Sequence, residues 1–189
     1  MSDALLPCRL TICGVGELDG FAQAGVSDVL SIINPDTPEP DAFRSFARHR
    51  RTTLRFHDVV LPIEGQTLCG NNDVGRILEF GRKLAAERDA EHLLVHCMAG
   101  ISRSTAAAAI LMAQANPGRE DAAFETLLAI RPRAWPNSRM VVLADRMLDR
   151  RGQLEAALRR YFARAVGEFE GLADYVRSID GRGHEVPPR

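Results

Sequence analysis

The run His96-Cys97-Met98-Ala99-Gly100-Ile101-Ser102-Arg103-Ser104 sets a thiol six residues before a guanidinium, with a glycine between them and a hydroxyl just after. Those residue types at that spacing suit transfer of a tetrahedral anionic group. An ordinary thiol, with a pKa near ~8.5, is mostly protonated at neutral pH; a helix N-terminus and a nearby guanidinium bring it to roughly 3.5–7.5. Cys97 is placed for both influences and is the expected nucleophile. The planar fork of Arg103 can grip two oxygens of one anion, which a lysine does less well. Met98, Ala99, Gly100, Ile101 and Ser102 are expected to cradle the anion with inward-facing N–H groups, Gly100 permitting the close turn. Ser104 is expected to donate its hydroxyl to Cys97 and ease its departure, and His96 to hydrogen-bond the loop backbone. In a chain with one lysine (Lys83) among 24 basic residues, a bare Cys-x5-Arg arises by chance with a probability of roughly 0.4. Adding the preceding His, the Gly and the following Ser lowers that to on the order of 10⁻⁴.

Such a loop works only between a strand and a helix, where a helix N-terminus adds positive potential. The pattern supplies both. Residues 92–96 (HLLVH) read as a short buried strand, and 104–116 (STAAAAILMAQAN) as a helix of strong helix formers stopped by Pro117-Gly118. Further strands are expected at 9–15, 29–33 and 52–56, and short helices at 17–24 and 41–49. Residues 58–72 read as a loop. Asp73 is expected to cap a helix with apolar positions at helical spacing, and helices follow over 120–130 and 138–148. After Gly152 one apolar stripe runs from Leu154 to Val176 on a single long helix, weakened at Gly167 and Gly171, and the tail from 181 should fray. The pattern predicts an α/β fold: a central, largely parallel sheet of four to five strands flanked by helices, with an extra long C-terminal helix. Residues 1–150 are expected to form one domain, with 151–189 a helical extension packed on it.

Composition narrows the function classes. The net charge of −1 gives no bulk reason to expect nucleic acid or an anionic membrane as partner. There is no positive n-region or long apolar stretch at the N-terminus, and the apolar run 106–113 is too short to span a bilayer. A cytoplasmic protein with reduced thiols is the expectation, and the arginine bias suggests a GC-rich bacterial genome. The cysteines (Cys8, Cys13, Cys69, Cys97) make no C-x-x-C pair, so neither zinc nor a redox pair is suggested; no metal is needed where the loop and Arg103 supply the positive field, and no cofactor is expected.

His96–Ser104 resembles the signature H-C-x5-R-S/T of the dual-specificity branch of the cysteine-dependent protein tyrosine phosphatases, and Ala99–Ser104 has that branch's A-G-x-S-R-S wording. Arg131-Pro132-Arg133-Ala134-Trp135-Pro136-Asn137 is similar to its R-x4-P-N segment, in which the Asn supports the phosphate loop; this marks Asn137. The resemblance covers roughly residues 9–150. It implies a phosphatase fold and a phosphocysteine intermediate, with a phosphorylated protein or small phosphomonoester as partner. It also implies a general acid on a loop after an upstream strand. Asp58 is the expected acid, with Glu64 and Asp73 as competitors. Inositol phosphates, lipids and nucleotides are alternative substrates; the neutral Met98, Ala99 and Ile101 disfavour highly phosphorylated inositides. Capture of phosphorylated ligands without turnover and sulfur transfer are the competing classes.

Other features are read as structural. His57 is expected to be an exposed loop residue, and 48–51 (RHRR) a solvated face. Trp135 suits an active-site wall or the core. The spacing supports no disulfide between Cys97 and Cys13 or Cys69.

Overall fold

Two strands are buried along their whole length, as central strands of a parallel sheet covered on both faces must be. In the computed structural model, which describes residues 4–87, 89–179 and 181–188, these are β2 (Asp28–Ile33) and β4 (His92–Cys97). With β1 (Arg9–Gly14) and β3 (Arg50–Arg55) they form a four-stranded, all-parallel sheet in the order β1-β4-β2-β3. The register sets Gly14 beside Cys97 and Ser31 beside His96. Alternation then sends Leu93, Val95 and Cys97 to one face and Leu94 to the other.

The first face carries the main core. Helix α2 (Arg103–Ala115) is buried from Arg103 to Ala113, as a helix apolar on all sides should be. Helices α1 (Asn71–Ala86), α3 (Glu120–Ile130) and α4 (Ser138–Met147) pack around it, and α5 (Gln153–Glu168) lies on α3 and α4. Leu154, Leu158, Tyr161 and Phe162 of α5 share this core with the sheet. On the opposite face two short 3₁₀ segments, Val15–Phe21 and Asp41–Ser45, cover Cys13, Leu18, Val29 and Leu94. These are the expected short helices, formed with 3₁₀ rather than α geometry, as is frequent in short connecting pieces.

The C-terminal region departs most from expectation. The apolar stripe is divided between α5 and α6 (Leu172–Ser178). Phe169 is extended and Gly171 left-handed, at φ +76°, which no α-helix can absorb. The tail is not frayed: after Gly181 (φ +73°) it turns through Gly183–Glu185, and Arg182 and Glu185 are buried. Among the described residues no helix is long and apolar enough to cross a membrane.

Candidate active site

Parallel strands put their carboxyl ends on one edge, and the loops leaving that edge build the site. Asn34 follows β2, Phe56–Asp58 follow β3, and residues 98–102 join β4 to α2. Gly100 sits at φ +70°, and a Cβ there would lie 2.5 Å from the Cys13 carbonyl carbon and the Gly14 nitrogen. A Cβ on Gly14 would in turn stand 3.0 Å from Ala99 and Met98 backbone atoms. Two glycines therefore let the loop lie flat on the end of β1, where the Val15 N–H donates to Met98 O at 3.1 Å.

Cys97 is buried under this loop. Its Sγ accepts the Gly100 N–H at 3.2 Å and lies 3.2 Å from Ser104 Oγ, so two donors face the sulfur where negative charge would rest. Arg103, 2% exposed, opens α2. One arm of its fork is anchored: Nη1 donates to Asn34 Oδ1 at 2.8 Å and to Phe56 O. Its Nε is buried without a partner among the described residues. An orphaned charged donor in a dry site is costly unless a guest satisfies it, and an anion beside Cys97 is such a guest. His96 lies tilted against Phe43 (centroids 5.5 Å apart), and its Nε2 meets Ser31 Oγ at 2.7 Å. Burial pushes its imidazole down to about 4, offset in part by the Cys97 backbone.

Asp58 reaches this constellation; Glu64 and Asp73 do not. Asp58 Oδ1 accepts Ser102 Oγ–H at 2.7 Å and Asn137 Nδ2–H at 2.9 Å. Its Oδ2 has no partner among the described residues and is free to carry a proton. Asp73 accepts the Gly70 N–H at 2.9 Å and closes the start of α1, while Glu64 is exposed on the 58–70 loop. Asn137 joins three elements: it N-caps α4 by accepting from Met140 N–H (3.2 Å), holds Asp58, and donates its own N–H to Ser102 O at 3.3 Å.

The segment before Asn137 lies along the loop. The Trp135 N–H donates to Ile101 O at 2.9 Å, and Arg131 Nε to Gly100 O at 3.1 Å. Arg131 also forks onto Glu17 at 2.9 and 2.6 Å, and that guanidinium holds the Glu17 carboxyl below the usual carboxylate range. Glu17 in turn accepts the Gly14 N–H at 2.6 Å. Trp135 is core: it stacks on Phe162 at 3.9 Å and 7°. Of the basic run, Arg50 pairs with Asp28 and Asp89, and Arg51 pairs with Glu39 and lies over Phe43. His57 Nδ1 accepts the Thr67 N–H, fixing the loop rather than touching the acid. Cys13 faces the opposite side of the sheet from Cys97, and burial pushes the Cys13 and Cys69 thiols up to about 12.

No protein-family model matches the sequence, and no curated protein does. Solved structures do. The chain is similar to the Yvh1 phosphatase domain from Chaetomium thermophilum, with TM-score 0.54 and 22% identity over 77% of this chain and 93% of that one. It is similar to the human tyrosine phosphatase-like serine/threonine/tyrosine-interacting protein, with TM-score 0.58 and 18% identity over 78% and 95%. It is also similar to PTPMT1 in complex with PI(5)P, with TM-score 0.52 and 13% identity over 75% and 91%. The chain has the dual-specificity phosphatase fold. Within that fold, Arg131, Glu17 and Arg182 are site neighbours that sequence reasoning did not single out. Arg131 was visible as the first residue of the R-x4-P-N segment, whereas Glu17 and Arg182 come from stretches with no motif.

Proposed function

We propose that this chain is a cysteine-dependent phosphomonoesterase acting on phosphorylated tyrosine, with phosphoserine and phosphothreonine as further targets. One observation carries the reading: a sulfur with two facing donors shares its loop with a buried, half-anchored Arg103, and a carboxylate with one free oxygen stands over the same loop. In the first step the Cys97 thiolate attacks phosphorus and the P–O bond to the leaving group breaks. Asp58 Oδ2 gives its proton to the departing oxygen, a transfer typically worth 10²–10⁴-fold. Arg103 and the loop N–H groups hold the transferring phosphoryl group. In the second step water attacks phosphorus and passes a proton to Asp58. The S–P bond breaks, and the leaving sulfur is received by Ser104 Oγ–H and Gly100 N–H. Loop and guanidinium supply the positive field, so the scheme draws on no metal.

A non-protein phosphomonoester is the second reading. It is favoured by the likeness to PTPMT1 held with PI(5)P and by a cavity of about 360 Å³ beside Ile101, lined by Trp135, Leu172 and Tyr175. The test is hydrolysis of para-nitrophenyl phosphate alongside sulfur transfer from thiosulfate. Wild type should hydrolyse the ester and transfer no sulfur, and Cys97→Ser should bind vanadate without turnover. Undiminished hydrolysis by Cys97→Ser would overturn the proposal.

A further inference from the structure

We infer that Arg182, from the C-terminal tail, is a positioning residue for the general acid; the inference rests on the phosphatase reading above. Arg182 is 3% exposed, and its Nη1 donates to Ser102 Oγ at 2.9 Å and stands 3.7 Å from Asp58 Oδ1. A serine hydroxyl has one proton to give and two lone pairs to receive with. With the guanidinium donating into Ser102, the Ser102 proton has one remaining use, the 2.7 Å bond to Asp58 Oδ1. The tail thereby fixes the direction of a hydroxyl that would otherwise rotate. Ser102 stands at the N-cap of α2 yet makes no cap bond with its side chain, so its hydroxyl is committed to this chain of donors. Oδ1 of Asp58 is occupied from the phosphate loop and from Asn137, and Oδ2 is left for the leaving group.

The tail is itself held for this task. Arg182 Nε donates to Glu185 Oε2 at 2.8 Å, and the same oxygen accepts Trp135 Nε1–H at 2.9 Å. Trp135 is stacked on Phe162 of α5, and its backbone N–H donates to Ile101 O of the loop. Arg182 Nη2 and Glu185 Oε1 are both buried without partners among the described residues. A buried ion pair with unpaired atoms is a poor device for stability alone, because apolar residues of similar volume do as well or better. Here its geometry serves the acid.

The experiment compares two esters. Phenyl phosphate has a poor leaving group that needs a proton, whereas dinitrophenyl phosphate departs without one. The double variant Arg182→Met/Glu185→Met removes both buried charges together, so neither is stranded. Ser102→Ala cuts the same relay in the middle and leaves the ion pair intact. The double variant should lose about tenfold or more in kcat on phenyl phosphate and less than about threefold on dinitrophenyl phosphate, with vanadate affinity unchanged, and Ser102→Ala should shift the ratio of the two esters in the same direction. In an Asp58→Asn background the double variant should cost less than about twofold more on either ester, because the group it positions is gone. Equal losses on both esters, or the same loss with and without Asp58, would overturn the inference. Should the double variant melt out, Ser102→Ala decides alone, and an unchanged ester ratio in it overturns the inference. A wild type that turns over neither ester overturns the phosphatase reading and this inference together. That outcome is distinct from failure of the inference alone, which requires a working wild type.

Discussion

Gly100→Ala should damage oxyanion binding far more than its single added methyl suggests. The new Cβ would lie 2.5 Å from Cys13 C and Gly14 N and 2.8 Å from Cys13 O, all backbone of β1, so no rotamer change relieves the clash. Ordinary contact needs about 1 Å more separation, which the loop must supply by lifting. Left-handed backbone costs an L-residue about 1–2 kcal/mol and overpacking about 1–3 kcal/mol, together about 2–5 kcal/mol. For a chain of this size that lowers Tm by roughly 4–20 °C. The lift also carries the Gly100 N–H off Cys97 Sγ, now 3.2 Å away, and a misplacement of about 1 Å can cost ~10²-fold. Gly25 is the matched control, with φ +67° and nothing within 4 Å of an added Cβ. Gly25→Ala should show only the backbone cost, with vanadate affinity unchanged. Calorimetric melting and vanadate titration of both variants provide the assay. Equal vanadate affinity in Gly100→Ala and Gly25→Ala would mean that the added methyl does not lift the loop off Cys97.

Two further substitutions probe the supports of the loop. Arg131→Met should weaken vanadate binding about tenfold, the scale of one lost charge-assisted bond to the loop carbonyls. Because Arg131 holds the Glu17 carboxyl below its usual range, that pair stabilises the fold above the ordinary glutamate range and ceases to do so as pH falls through the lowered value. Glu17 is nearly half exposed, so the contribution is under about 1 kcal/mol; acid melts of wild type and Arg131→Met should converge at low pH, and a gap that widens would contradict this. Burial holds His96 near 4 against an ordinary 6.5, so the unfolded ring takes up a proton first as pH falls. Stability should therefore drop by about 3 kcal/mol between pH 6.5 and 4. His96→Asn should flatten that slope in urea melts, and an unchanged slope would assign it to other groups.

The sheet and the 97–103 loop were legible because their determinants are local. The short, largely apolar runs at 29–33 and 92–96 have the length and β-branched content of doubly covered strands, and a Cys–Gly–Arg–Ser spacing between strand and helix has few structural uses. Asp58 was legible as a loop carboxylate but not its partners, since Ser102 and Asn137 meet it across long sequence separation. The split between α5 and α6 was masked because the apolar stripe keeps its spacing through the break, although Gly171 marked the weak point. The tail was misread for a physical reason: GRGHEVPPR has the composition of a solvated end. Burial of Arg182 and Glu185 depends on their pairing with each other and with Trp135 and Ser102, which no window of sequence reveals.

The proposed reaction passes through a phosphorus–sulfur bond at Cys97. Asp58→Asn mixed with dinitrophenyl phosphate, quenched in the first turnover and read by peptide mass spectrometry, should carry one phosphoryl group on the peptide containing Cys97. First-turnover product release with that peptide unmodified would contradict the account.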